Sequence, residues 1–182
     1  MKPEPMNDVV MLLKALKFSA DKHTKDRRKD VEESPYINHP IQVATLLAVE
    51  AGIDDITVLQ AALLHDTVED TETSYEELVE VFGAAVADVV MEVTNDPTLS
   101  KAEQKRMQIV NAPHKSAAAA LVKLADKTCN LRDIASMPPA DWALERKQDY
   151  FDMALQVAEG LPQGSGRLRA LFDGAFAARP IA

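Results

Sequence analysis

Val58-Leu59-Gln60-Ala61-Ala62-Leu63-Leu64-His65-Asp66-Thr67-Val68-Glu69-Asp70 is the stretch on which the reading of this chain turns. Its first seven residues are almost wholly apolar, and Asp54 or Asp55 just upstream can cap a helix. Ala and Leu outnumber β-branched residues here, so the run reads as a buried helix. It leads directly into His65-Asp66. A His-Asp pair at the end of a buried stretch is expensive unless its polar groups find partners. Metal binding would supply them, since neutral imidazole and ionised carboxylate both suit a divalent transition metal. Glu69 and Asp70 follow three and four residues after Asp66, and on a continuing helix all three acids share a face. Clustered carboxylates repel one another, which a bound cation, lysines or water would relieve.

Working outward, helical signals cover most of the chain. Upstream, Val9, Leu12, Leu13 and Leu16 fall on one face of a first helix, expected from about Asn7 to His23. A charged loop runs to Asn38, and Pro40 suits the start of a helix that continues through Leu47 to Gly52. Downstream, Thr73 with Glu76, or Ser74 with Glu77, offers a capping box for a helix ending at Gly83. A helix from Ala84 to about Thr94 follows, and Ser100 with Glu103 offers a second capping box. Ser116 to about Ala135 is a long helical pattern. Asp141 to about Glu159 and Arg167 to about Ala178 close the series, the last with Leu168, Leu171, Phe172 and Phe176 suited to a core or a subunit contact. The sum is an all-α bundle of about eight to ten helices in a single domain, 1–182, with no internal repeat.

Composition narrows the function classes. With 182 residues, 47% of them hydrophobic, the chain can bury a substantial core. The single Cys excludes an intrachain disulfide, and no apolar run is long enough to span a bilayer. A cytoplasmic location is therefore expected. A net charge of −9 argues against a nucleic-acid partner. The local cluster Lys22, Lys25, Arg27, Arg28 and Lys29 can hold a small polyanion, or be a solvated loop.

Chemistry concentrates in few residues. Of the four histidines, His23 and His114 read as surface residues, while His39 sits between Asn38 and Pro40 at the start of a helix. Asp126 lies among Val122, Leu124, Ala125 and Leu131, an apolar setting in which an acid asks for a partner, and Asn130 is one turn on. Asp126 could instead be a cap or an ion-pair partner, and Glu69 and Asp70 a solvated helix end. Cys129 reads as a small core residue. Taken together, a His, a His-Asp pair and a later Asp suit a metal site with positions left open.

That ordered set, His39, His65-Asp66 and Asp126, resembles the HD phosphohydrolase superfamily. The words Arg27-Arg28-Lys29-Asp30, Pro35-Tyr36-Ile37-Asn38-His39-Pro40, Ala61 to Thr71, Val122 to Lys127 and Asn130-Leu131-Arg132-Asp133 resemble the hydrolase domain of the RelA/SpoT homologues over roughly residues 8 to 160. The resemblance implies an HD-domain bundle and a stand-alone small alarmone hydrolase, similar to the animal-type members. Such enzymes remove the 3′-pyrophosphate of ppGpp and pppGpp, giving GDP or GTP, with Mn²⁺ as cofactor. By matching position it makes His39, His65, Asp66 and Asp126 metal ligands, and Glu69 and Asp70 the catalytic acids that orient and deprotonate the attacking water. It assigns Arg28, Lys29, Asn130, Arg146 and Tyr150 to substrate binding. The implied partner is a small nucleotide, handled by a monomer or a homodimer. One departure stands out: Lys25 and Asp26 occupy places where long members carry Gly-Gln. It keeps open an adenosine alarmone or the 2′-phosphate of NADPH as substrate, and a module that binds alarmone without cleaving it is the non-enzymatic alternative.

Overall fold

In the computed structural model, which describes residues 7–181, ten α-helices account for most of the chain. Among the described residues there is no strand; an isolated bridge pairs Arg27 with Pro35 across the base of the basic loop. The helices are α1 (Asp8–Lys22), α2 (Asn38–Thr45), α3 (Ile56–Leu64), α4 (Thr67–Asp70), α5 (Tyr75–Phe82), α6 (Ala84–Val93), α7 (Lys101–Asn111), α8 (Ala117–Ser136), α9 (Leu144–Gly160) and α10 (Gly166–Phe176). A π-helical turn, Leu46–Glu50, widens the end of α2, and a 3₁₀ turn, Ala112–His114, joins α7 to α8.

The centre is α3. Every residue from Val58 to Leu64 is buried, because α1, α2, α6 and α8 pack around it. Asp55 caps it by accepting from Thr57 N and Val58 N at 2.8 and 3.2 Å. The second spine is α8, whose Val122 and Ala125 join the α3 core while Leu131 and Ile134 join a neighbouring cluster around Phe151 and Phe172. Fully burying one such side chain contributes about 1.5–3 kcal/mol, so these two helices are fixed more firmly than anything at the surface. The last helix packs on the core: Leu168 and Phe172 are fully buried against α8.

Caps fall where the side chains suggest. Ser74 accepts from Glu77 N, but Glu77 spends its carboxylate on Lys22 rather than closing the box. Ser100 and Glu103 form a complete capping box. Gly83, at φ 88°, ends α5 and opens α6 in a conformation L-residues rarely adopt. Two expectations shift. The packed face of α1 is Leu12, Ala15, Leu16 and Ser19, while Val9 and Leu13 stay exposed. Helix α9 starts at Leu144 because the residues from Pro139 form a turn, closed by Trp142 N bonding Pro139 O, which leaves Asp141 outside it.

Candidate metal centre and nucleotide cleft

Three helices deliver the donors. His39 is the second residue of α2, His65 and Asp66 follow the last residue of α3, and Asp126 sits in the middle of α8. The α3 helix stops at Leu64, where Thr67 Oγ1 donates back to the Leu64 carbonyl at 2.7 Å. His65 and Asp66 thereby occupy a tight turn between α3 and α4, so Asp66, Glu69 and Asp70 are not carried on a continuation of α3; they share the short α4 turn, with Asp66 at its N-cap and its carbonyl accepting from Asp70 N at 2.9 Å. Ring Nδ1 of His65 is committed to the Ala62 carbonyl at 2.8 Å, which leaves Nε2 to take either a proton or a metal.

One ligand atom each from His39, His65 and Asp126 lies within 4.8 Å of the others, all three residues buried. His39 Nε2 is 3.2 Å from Asp126 Oδ1, and His65 Nε2 is 3.8 Å from the same oxygen. Asp66 Oδ2 is 3.0 Å from His65 Nε2 and 3.8 Å from His39 Nε2. Ligands about 2.1 Å from a shared ion are separated by roughly 3–4 Å, so these spacings fit a divalent cation. The buried His65 Nε2 has no hydrogen-bond partner. Burial pushes His65 down, but Asp66 and then Asp126 more than reverse this and raise it to about 9. A cation entering the cluster takes the place of that proton. Asp66 and Asp126 are held below the usual carboxylate range despite burial, Asp66 chiefly by His65 and Asp126 by Lys127, His39 and Lys123. This is a possible metal site built of two imidazoles and two carboxylates.

The neighbouring acids differ in their surroundings. Glu69 is anchored by Asn95, whose backbone N and side-chain Nδ2 bond both carboxylate oxygens at 2.9–3.1 Å. Asp70 has no such anchor and faces the cleft. Burial first, then the charges of Asp66 and Glu69, push it up to about 6. Tyr36 donates its hydroxyl to Asp66 Oδ2 at 2.6 Å. Burial, Asp66 and Asp70 hold this phenol far above its ordinary value, so it remains a donor.

Above the cluster opens a cleft of about 760 Å³, lined by Arg28, Lys29, Tyr36, Asp70, Asn130 and Tyr150 among others. Four of the five residues assigned by resemblance to substrate binding are thus in its wall. Arg28 is steered by an ion pair with Asp133 Oδ2, and Lys29 is exposed. Asn130 Nδ2 donates to Asp126 Oδ1 at 2.6 Å, joining the cleft wall to the donor cluster. Arg146 is not in the wall: its guanidinium stacks 4.4 Å from the centre of the Trp142 ring, and Trp142 is the lining residue.

Several residues escaped the sequence reading. His23 is buried, not a surface residue: its Nδ1 is 2.8 Å from Asp26 Oδ2 and its ring packs on Tyr36 at 4.8 Å. Spacing gave the signal, since His23 continues the buried Leu12, Ala15/Leu16, Ser19 face of α1. Lys123 and Lys127, both buried, stand 3.9 and 3.7 Å from Asp126 Oδ2. A buried acid needs a partner, and the lysines flanking Asp126 in sequence are the signal that could have found them. Asn95 and Asp133 carried no such mark.

The HD domain family model matches residues 15–159. The human guanosine-3′,5′-bis(diphosphate) 3′-pyrophosphohydrolase MESH1 is 56% identical over 161 residues, covering 88% of this chain and 89% of that protein. The Drosophila melanogaster protein of the same name is 47% identical, covering 93% and 94%. A solved structure described as a metazoan ortholog of SpoT that hydrolyzes ppGpp superposes with a TM-score of 0.90 at 45% identity, covering 96% and 97% of the two chains. With its donor cluster on α2, α3 and α8, this chain belongs to the HD domain family and, within it, to the MESH1 group.

Proposed function

We propose that this protein is a metal-dependent (p)ppGpp 3′-pyrophosphohydrolase that releases diphosphate and leaves GDP or GTP. The observation that carries this reading is the stacking of features in one cleft. A buried donor cluster lies just beneath its wall, bonded to the lining residues Tyr36 and Asn130, and basic residues stand at its mouth, in a chain matching named 3′-pyrophosphohydrolases over most of its length. His39, His65, Asp66 and Asp126 would hold the cation; imidazole and carboxylate donors suit a divalent transition metal, and Mn²⁺ is the ion that the family resemblance implies. When bound, the cation polarises a phosphoryl group and makes water more acidic. The remaining work falls to the chain. Asp70, free in the cleft wall, accepts the proton of the attacking water, and its raised basicity suits that role. Glu69, tied down by Asn95, orients the attacking water. Tyr36 fixes Asp66. Arg28 and Lys29 offset the charge of the polyphosphate, Arg28 as a planar fork. Asn130 and Tyr150 meet the sugar and phosphate from the α8–α9 side, and Arg146 joins by swinging off Trp142. The protein works as a single domain, as a monomer or homodimer. No helix among the described residues is long and apolar enough to cross a membrane, which agrees with a cytoplasmic enzyme.

Lys25 and Asp26, which replace Gly-Gln, line the same cleft, so the purine is the open half of the assignment. The test is to incubate the Mn²⁺-loaded protein in parallel with ppGpp, pppApp and NADPH and to separate products by ion exchange, with Asp66→Ala as control. Diphosphate from ppGpp, lost in the variant, is the expected result. Cleavage only of pppApp or NADPH would replace the substrate; stoichiometric binding without turnover would make the protein a sensor.

A further inference from the structure

A second cavity, of about 200 Å³, lies between the end of α6, α7 and the start of α8, and it shares no lining residue with the large cleft. It is below the size of ordinary nucleotide or drug pockets, about 300–1,000 Å³. Two of its wall residues also touch the first site: Asn95 holds Glu69, and Lys123 Nζ stands 3.9 Å from Asp126 Oδ2. The cavity therefore backs onto the donor cluster through one layer of side chains.

Two ammonium groups in its wall keep donors unspent. Lys123 is 6% exposed, yet its ammonium makes a single hydrogen bond, to the Val93 carbonyl at 3.4 Å. The Asp126 oxygen is too far to be a second one. A buried ammonium left this short of acceptors is costly unless another partner arrives. Lys115, half-buried, reaches in from the opposite side and donates one hydrogen to the Glu92 carbonyl, leaving the rest of its donors free. Each of the two wall carboxylates has one oxygen engaged: Glu92 Oε2 accepts from Ser116 N at 2.7 Å, and Asp96 Oδ1 accepts from Thr98 N and Oγ1 at 2.8 and 2.7 Å. Gln108 has its amide oxygen buried without a partner, and a half-turn of that amide presents its NH₂ instead.

We propose that this cavity is a binding site for inorganic diphosphate, held by the ammonium groups of Lys115 and Lys123 with the amide of Gln108. The oxyanion site stands on the cavity itself; that its ligand is the diphosphate released in the large cleft rests on the function proposed above. Diphosphate seated here is one side chain away from Glu69 and Asp126.

Inorganic diphosphate and, separately, orthophosphate should be titrated calorimetrically into the metal-free full-length protein, which removes capture by the donor cluster. Wild-type protein is expected to bind diphosphate more tightly than orthophosphate. Lys115→Gln should weaken diphosphate about tenfold, the loss of one charge-assisted contact, and Arg28→Gln should leave it unchanged. Because Lys115 is half-exposed, its variant folds, which an unchanged near-ultraviolet circular dichroism spectrum verifies. No binding, binding indifferent to Lys115→Gln, or binding lost in Arg28→Gln would overturn the proposal. Equal affinity for orthophosphate would overturn the assignment to diphosphate. A protein that binds diphosphate in this pattern but cleaves no nucleotide would sink the proposed activity and leave this site standing; cleavage without such binding would do the reverse.

Discussion

Beneath the cleft wall His39, His65 and Asp126 form a floor 1%, 4% and 7% exposed, whereas at the rim, in the wall itself, Lys29 is exposed and Arg28 only partly covered, with Arg146 exposed just outside it. The floor stands on α3 and α8, the two helices most deeply packed, and its imidazole Nε2 atoms and carboxylates lie within about 4 Å of one another. The rim stands on the loop after α1 and on the outer face of α9, where Arg28 and Arg146 rest on Asp133 and Trp142. The difference separates two kinds of functional residue. Floor residues are over-determined by the fold, so changing one disturbs both chemistry and stability. Rim residues are held by single surface contacts, so changing one is expected to disturb binding alone.

The largest break in that contrast is expected from Asp126→Asn. The substitution removes a donor and leaves Lys123 and Lys127 buried without their shared counter-charge. Loss of the cation forfeits several kcal/mol of transition-state stabilisation, so kcat/KM should fall roughly 10⁴-fold. Denaturant titration of the metal-free protein should show a loss of about 3–5 kcal/mol, the cost of breaking a buried ion pair from one side. A variant that is inactive but fully stable would show that the floor is not over-determined in this way.

Asp70→Asn comes next and sharpens the comparison, because Asp70 adjoins the floor yet stands exposed in the cleft wall. Removing a general base costs about 10²–10⁴-fold in rate, and here stability should scarcely change. The base works ionised. With Asp70 raised to about 6 by burial, Asp66 and Glu69, activity should rise as pH climbs through that region and level off above it. A bound cation draws the inflection lower. His23 and Tyr36 face the same carboxyl, so the profile should be recorded for Asp70→Asn as well; an unchanged inflection in that variant would assign the titration elsewhere.

The same division explains what could be read from the chain alone. The helical bundle was legible because apolar periodicity and caps such as Asp55, Ser100 and Ser116 are local signals. His65, Asp66 and Asp126 stood out physically, as polar groups inside apolar helices, before any resemblance was invoked. The break after Leu64 was not visible, since nothing in Leu64-His65-Asp66-Thr67 forbids a continuing helix; at the break Thr67 bonds backward to the Leu64 carbonyl. His23 was misjudged because its neighbours Lys22, Lys25 and Arg27 are solvated, while its own ring turns inward onto Tyr36. Arg146 marks the limit at the rim: sequence places it beside Tyr150 on α9, but its rest position on Trp142 depends on a tertiary contact.

The smallest effects are expected at the rim, and their order tests whether the rim is one surface. Arg28 is the more constrained cation, paired with Asp133 and lying 5.8 Å from the Tyr36 ring centre. Arg28→Gln should raise KM about 10–100-fold, the worth of a charge-assisted contact of roughly 1.5–3 kcal/mol, with kcat little changed. Lys29 is exposed, so its attraction to a polyphosphate is screened. Lys29→Gln should raise KM only about two- to fivefold, an effect on the scale of exposed ion pairs. That small effect should shrink further as salt is raised from about 0.05 to 0.5 M, while the Arg28 effect persists, because screening acts on exposed charges far more than on covered ones. Equal and equally salt-sensitive losses at both positions would mean that Arg28 releases Asp133 and acts as a second solvated charge, and the boundary between floor and rim would then lie below Arg28.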